Sequence, residues 1–185
     1  MPNKIKYGIS RCYYALLGSN GYGTPVALPG AVSLSLTAQG DNYSFYADNI
    51  QYYRNSVNNG YSGDLEVAIL PDEFLTSVLG NTLDSTDKIL VENVQNAAPV
   101  FALGFQVEGD SDNPRFWIYN CTASRPEISG DTKEESIEVQ TETVTITSSP
   151  TADGYVRART TSETPTATYE GWFSEVWEPT SPTTT

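Results

Sequence analysis

Apolar and polar residues alternate along much of this chain. In Ala31-Val-Ser-Leu-Ser-Leu-Thr, Val32, Leu34 and Leu36 fall on one face and Ser33, Ser35 and Thr37 on the other, the period of a half-buried strand. The period recurs at Leu65, Val67 and Ile69, and again at Phe101, Leu103, Phe105 and Val107. Ile137 with Val139 and Val144 with Ile146 repeat it. Arg115-Phe-Trp-Ile-Tyr-Asn-Cys is aromatic and β-branched, a good strand composition. Further strands are expected near 4–17, 44–53, 154–160 and 168–177, with a hairpin loop at 108–114. This many short strands and turn signals predict a mainly β chain, a β-sandwich or barrel.

One segment follows a helical period instead. Pro71-Asp-Glu-Phe-Leu-Thr-Ser-Val-Leu-Gly puts Phe74, Leu75, Val78 and Leu79 on one side. Pro71 suits a first turn, Asp72 and Glu73 suit its positive end, and Gly80 suits the exit. One short flanking helix of about two turns is therefore expected to pack that face on the β core, since so short a helix is not stable alone.

Three regions lack a core pattern. Residues 18–30 are Gly-rich, with Pro25 and Pro29, and read as a loop between the first two strands. Residues 38–63 are rich in Asn, Gly and Tyr, and nine of the 12 tyrosines lie in the first 61 residues. Large side chains with a polar tip suit interfaces, so 38–63 is expected to be an assembly element. Its candidate contact residues are Tyr43, Phe45, Tyr46, Asp48, Tyr52, Tyr53 and Arg54. Residues 178–185, Glu-Pro-Thr-Ser-Pro-Thr-Thr-Thr, form a Thr/Pro-rich tail with nothing to anchor it in a core, which leaves 1–177 as a single β domain.

Charge narrows the function. Ten Lys and Arg against 23 Asp and Glu give −13 over 185 residues. Residues 1–60 carry a net +2 and residues 61–185 a net −15. Duplex binding needs cations to displace counterions, so specific DNA binding is not expected. The asymmetry would let the basic end of one copy meet the acidic body of another. No run of 18 apolar residues exists, so no membrane insertion is expected, and the apolar segment after Arg11 is too short for a secretion signal core. A compact fold of 20.2 kDa would expose roughly 8,800 Å².

Catalytic chemistry has little to stand on. The chain has no histidine, which removes Ser-His-Asp triads, Cys-His pairs and His-ligated zinc. Cys12 and Cys121 cannot form a four-thiolate site and are expected to be reduced, unbonded thiols. Asp110, Asp112 and Asn113 lack the Gly and terminal Glu of a calcium loop and suit a turn. Gly-Ser-Asn-Gly-Tyr-Gly at 18–23 has no Lys and no following helix, so it is no phosphate cradle. Nothing singles out a catalytic pair among 23 carboxylates. The expectation is no enzyme, no metal and no cofactor.

An ordered set of motifs goes further. Lys6-Tyr-Gly-Ile, Tyr14-Ala15, Leu28-Pro-Gly-Ala-Val-Ser-Leu-Ser-Leu, Tyr46-Ala-Asp, Gly63-Asp-Leu-Glu and Leu79-Gly80 come first. Phe101-Ala-Leu-Gly-Phe, Arg115-Phe-Trp-Ile-Tyr-Asn-Cys-Thr-Ala-Ser-Arg-Pro and Thr132-Lys-Glu-Glu-Ser follow. In this order, over about residues 4–177, the chain resembles the major tail proteins (tail tube proteins) of long, flexible-tailed bacteriophages. The resemblance implies a β-sandwich or barrel with a flanking helix, six copies closing a ring, and rings stacked into a tube that conducts the genome into the host. It implies a virion protein assembled in the host cytoplasm. Its partners would be further copies of itself, the tape-measure protein inside the tube, and tail terminator and distal tail proteins at the ends. DNA would pass transiently, without specific contacts.

Physical reasoning runs the same way. Ring subunits need exposed strand edges and heterologous contacts, and long non-core segments can reach neighbours. A lumen rich in carboxylates would repel phosphate rather than hold it. The rival reading is a carbohydrate- or surface-binding β-sandwich that uses its tyrosine-rich loops.

Overall fold

The alternating runs pair into one antiparallel sheet. The computed structural model describes residues 5–40, 42–109, 113–130 and 140–179. Its first strands are β1 (Gly8–Gly18), β2 (Gly21–Tyr22), β3 (Val26–Ala27), β4 (Ala31–Gln39), β5 (Asn42–Ala47), β6 (Ile50–Ser56) and β7 (Gly60–Val67). Helix α1 (Asp72–Ser77) follows, then β8 (Thr82–Leu83), β9 (Leu90–Val91), β10 (Phe101–Glu108) and β11 (Arg115–Ala123). The chain continues through β12 (Glu142–Ser148), β13 (Arg157–Arg159) and α2 (Thr166–Glu170). The main sheet runs β2-β1-β10-β11-β12-β7-β4, with β3 on β1 and β13 on β11.

One stretch of chain curls this sheet on itself. β3 pairs with Tyr13 and Tyr14 of β1, while β4, which follows at once, pairs along β7 at the far end of the sheet. The turn between them is tied to both sides: Leu28 N–H donates to Cys12 C=O at 2.8 Å, and Ala68 N–H donates to Gly30 C=O at 2.8 Å. First and last strands thereby meet across 26–39, and the sheet becomes a barrel-like sandwich. The fold is mainly β, with short helices at its flank.

Inward residues form the larger core: Cys12 and Tyr14 of β1, Leu65 and Val67 of β7, Phe101, Leu103 and Phe105 of β10, Phe116 and Ile118 of β11, and Val144 and Ile146 of β12. Helix α1 packs into it. Phe74, Val78 and Leu79 are buried and Leu75 is half-buried against the same cluster. Phe74 meets Tyr14 edge-on at 5.1 Å, and the Ser77 hydroxyl donates to the Tyr14 hydroxyl at 3.2 Å. Burying Phe74 alone removes a whole aromatic side chain from water, worth about 1.5–3 kcal/mol.

Several local expectations need correcting. Val32 is 51% exposed and Ile69 is 70% exposed, because the register shifts between Ala31 and Ser33 and because β7 ends at Val67. Ala31, Leu34 and Leu36 are the residues of β4 that pack inward. Two more register shifts fall at residues with φ in the left-handed region, Arg11 (51°) in β1 and Asn120 (46°) in β11. Each adds one residue and flips the alternation, so that Ile9 gives way to Cys12, and Ile118 to Cys121, on the inner face. Residues 18–30 are not a plain loop, since β2 and β3 fold back onto β1. Residues 38–63 are not wholly outside the core sheet either: 38–39 and 60–63 pair in the β4–β7 ladder. The runs at Ile137 and Val139, the loop residues 110–112 and the tail beyond 179 lie outside the described residues.

The largest correction concerns 168–177. It contains no strand; α2 and a series of turns occupy 166–175. Tyr169, Trp172, Phe173 and Val176 are spaced by three or one, a helical spacing, and Gly171 ends the helix. There are thus two short helices among the described residues, not one. The accessible surface, 12526 Å², also exceeds the expected compact value of roughly 8,800 Å². The β5–β6 hairpin, which stands off the main sheet with its large side chains exposed, contributes to that excess.

Candidate assembly surfaces

Strand β11 is buried on both faces, and its outer face organises the C-terminal segment 155–177. Three alternate side chains, Arg115, Trp117 and Tyr119, point away from the inner core. Each sends its polar end to a backbone carbonyl of that segment. The Arg115 guanidinium donates to Tyr169 C=O, the Trp117 indole N–H donates to Trp172 C=O at 3.0 Å, and the Tyr119 hydroxyl donates to Trp177 C=O. Arg115 is buried, and among the described residues no carboxylate pairs with it. It is held by Gln106 Oε1 at 2.9 Å and by the Tyr169 ring, 3.9 Å from the guanidinium carbon. Neutral acceptors and a ring face together offset the cost of burying this charge.

A second core lies under this strap. Ala102, Trp117, Tyr119 and Trp172 are buried there, with Tyr13 stacked on Phe173 at 4.6 Å. Gly104 makes the space: a Cβ on it would lie 2.6 Å from the Trp117 ring, so only glycine admits the indole. Beside the strap, β13 borders a pocket of about 500 Å³ that Tyr119, Tyr155, Trp172 and Trp177 also line; its Ala158 faces the strap core, while the Arg157 and Arg159 guanidiniums lie on the other face, over Tyr61 and Phe116. Trp177 stacks on Trp172 at 6.1 Å and is 41% exposed. Sequence reasoning missed strap and pocket. The available signal was β11 itself, apolar at consecutive positions Phe116, Trp117 and Ile118, which requires cover on both faces.

The β5–β6 hairpin is the opposite case. It forms a separate two-stranded sheet, with no ladder to the main one. Its two-residue turn is Asp48-Asn49, with φ of 52° and 61°, the turn that matches strand twist. Strands of this length reach about 20 Å from root to tip. Phe45, Tyr46, Ile50, Tyr52 and Tyr53 are all at least half exposed along it. Asp48 is exposed at the tip, and no hydrogen bond or ion pair engages it among the described residues. Tyr43 and Arg54 pair through their backbones, with Asn55 and Ser44 respectively, and their side chains lie outside the described structure. The structure thus gathers the seven expected contact residues on one arm.

A third surface is polar. The outer faces of β4, β7 and β12 carry Ser33, Ser35 and Thr37, then Asp64 and Glu66, then Thr143, Thr145 and Thr147. No Lys or Arg occurs in these strands. Glu66 accepts from the Ser33 hydroxyl at 2.8 Å and the Thr141 hydroxyl at 2.6 Å, and Thr145 donates to Asp64 at 2.8 Å. The two hydroxyls on Glu66, Thr141 foremost, hold its carboxyl below the usual range.

Cys12 and Cys121 are buried and unbonded, and burial pushes both thiols up to about 12. They are poor nucleophiles and poor metal ligands. Among the described residues no cluster of three potential metal ligands occurs, and no helix is long and apolar enough to cross a membrane.

Fold and surfaces define a class: a barrel-like β-sandwich with a pinned C-terminal strap and a projecting aromatic arm. No family model matches the sequence, and no curated protein does. Among solved structures, the chain is similar to one from the 6-fold symmetrised baseplate of the anti-feeding prophage. That match has 10% identity and a TM-score of 0.42, covering 83% of this chain and 94% of the other. A chain from the tube terminating cap of the same particle matches at 11% identity and a TM-score of 0.44, covering 86% and 95%.

Proposed function

We propose that this chain is a structural subunit of a phage-type tail tube, which self-associates into hexameric rings stacked around a channel for DNA. The observation that carries the reading is the β5–β6 arm. It exposes five large apolar side chains on a hairpin with no core of its own. Isolated two-stranded hairpins are marginal in water, and an exposed aromatic patch of this kind marks an interaction surface. The ordered sequence resemblance to tail tube proteins supplies the kind of assembly. The chain works in this reading by association, without catalysis or cofactor.

The same reading gives the polar face of β4, β7 and β12 to the lumen. A wall of hydroxyls and carboxylates without cations neither binds phosphate nor brakes a moving duplex, and its repulsion extends about 8–10 Å at physiological salt. The tape-measure protein would occupy this channel before DNA, and terminator and distal tail proteins would close its ends in the virion.

Negative-stain microscopy of the purified protein, with and without residues 42–56, tests the proposal. Removing that segment leaves Gly40 and Asp41 to join Val57 through a short hairpin loop. The expected outcome is rings or tubes from the intact chain and a folded monomer from the shortened one. An intact chain that stays monomeric at high concentration, or a shortened chain that still forms tubes, would overturn the reading.

A further inference from the structure

Only one edge of β13 is paired among the described residues. In the antiparallel β11–β13 pair, Tyr119 N–H donates to Val156 C=O at 3.0 Å and Thr160 N–H donates to Arg115 C=O at 2.9 Å. Bonded positions alternate along such a ladder, so Ala158, opposite Trp117, continues the same set. Arg157 and Arg159 fall between, and their backbone N–H and C=O groups point away from β11. Their guanidiniums lie over Tyr61 and Phe116 on the inner face, so what these two residues bring to the pocket beside the strap is main chain. Among the described residues no strand bonds to that edge. In the same pocket Trp177 is 41% exposed, and the buried indole N–H of Trp172 has no acceptor among the described residues.

An open strand edge, an aromatic wall and an unmet donor together fit an extended backbone. The chain carries such a segment beside the pocket. Pro179 lines it, and the sequence continues Thr180-Ser-Pro-Thr-Thr-Thr185. Threonine is β-branched and suits a strand. These side chains cannot enter a core, but adding to an edge needs none that do, because the bonds are main chain. The proline sets the register. An edge strand bonds through alternate residues, and proline has no N–H, so Pro182 must take a position turned away from β13. Ser181 and Thr183 then hold the bonded positions, and the carbonyls of Thr180 and Pro182 face the other way, free to accept from the Trp172 indole.

We propose that residues 180–184 add to the free edge of β13 as a short outer strand, with Ser181 and Thr183 bonded to Arg157 and Arg159 and with Pro182 turned outward. The tail thereby covers the pocket and Trp177. Because Pro179 already lies at the pocket, the linkage holds the segment at high effective concentration, and a weak pairing suffices. Pro182 also blunts the new edge against further strand addition. The contact is within one chain and does not rest on the tube reading.

Amide hydrogen exchange of the full-length chain, over a range of protein concentrations, tests it. The Arg157 and Arg159 amides should be protected in the wild type. Thr183→Pro removes a bonded N–H and should speed their exchange by about tenfold or more. Thr184→Pro, at an outward position, should leave their protection unchanged. Tryptophan emission should shift to the red in Thr183→Pro and not in Thr184→Pro. Free exchange of both amides in the wild type would overturn the proposal, as would equal effects of the two proline variants. Protection that grows with protein concentration would give the edge to a second copy and overturn pairing within the chain. Rings or tubes in microscopy are a separate readout, so either reading can fail without the other.

Discussion

Residues 43–53 and 155–177 are both rich in aromatic side chains, yet one segment is bare and the other is covered. The strap is covered because β11 meets it with three donors at alternate positions, each matched to a carbonyl. A side chain cannot be buried against a backbone whose polar groups go unmet, and the Arg115–Trp117–Tyr119 ladder removes that obstacle. Among the described residues the arm meets no such ladder within its own chain. Its backbone is satisfied only by its own hairpin pairs, and its rings remain in water. Aromatic content alone therefore does not separate core from interface. What separates them is whether the same chain supplies donors to the covering backbone.

Substitutions can break this contrast. The largest effects are expected in the covered regions. Trp117→Ala and Phe74→Ala should each cost about 3–5 kcal/mol in urea unfolding. Only Trp117→Ala should also expose the strap, read as a red shift of Trp172 and Trp177 emission. Gly104→Val should cost about 1–3 kcal/mol by forcing the Trp117 indole aside. A Gly104→Val protein of unchanged stability would mean that the strap packs elsewhere. On the arm, Tyr46→Ser and Tyr52→Ser should change monomer stability by less than about 0.5 kcal/mol while suppressing assembly. A large loss of monomer stability there would show that the arm is part of the core.

The smallest effect comes from the buried thiols. Both are raised to about 12 in the folded chain, above the ordinary thiol value near 8.5. Their contribution to stability is therefore complete below about pH 8.5 and is lost as pH climbs from there toward 12. A thiol reagent at pH 8 should label neither Cys12 nor Cys121 in the native protein and both in denaturant. Rapid native labelling would place one of them at an open surface.

Much of the inner core was legible because period-two alternation reports one buried face directly. Leu65, Val67, Phe101, Leu103, Phe105, Val144 and Ile146 all pack where alternation puts them. Bulges were not legible. Arg11 and Asn120 look like ordinary polar residues, and only the ladder on either side shows that they take an extra place. The strap was misread for another reason: its rings favour strands by composition, while their spacing is helical. Of the candidate interface, the arm could be found as aromatic chain without a core pattern. The pocket beside the strap could not, because β13 and Trp177 come together only through long-range pairing on β11.

The ladder that pins the strap also sets an order of events in synthesis. Trp117 waits for Trp172, 55 residues later, so the outer face of β10 and β11 stays open while the intervening chain is made. At about 5–20 residues per second this interval lasts some seconds, long compared with hairpin formation in microseconds. The arm is therefore complete well before the pocket of its own chain exists. A nascent chain thus displays its exposed hairpin while its own second core is still unbuilt.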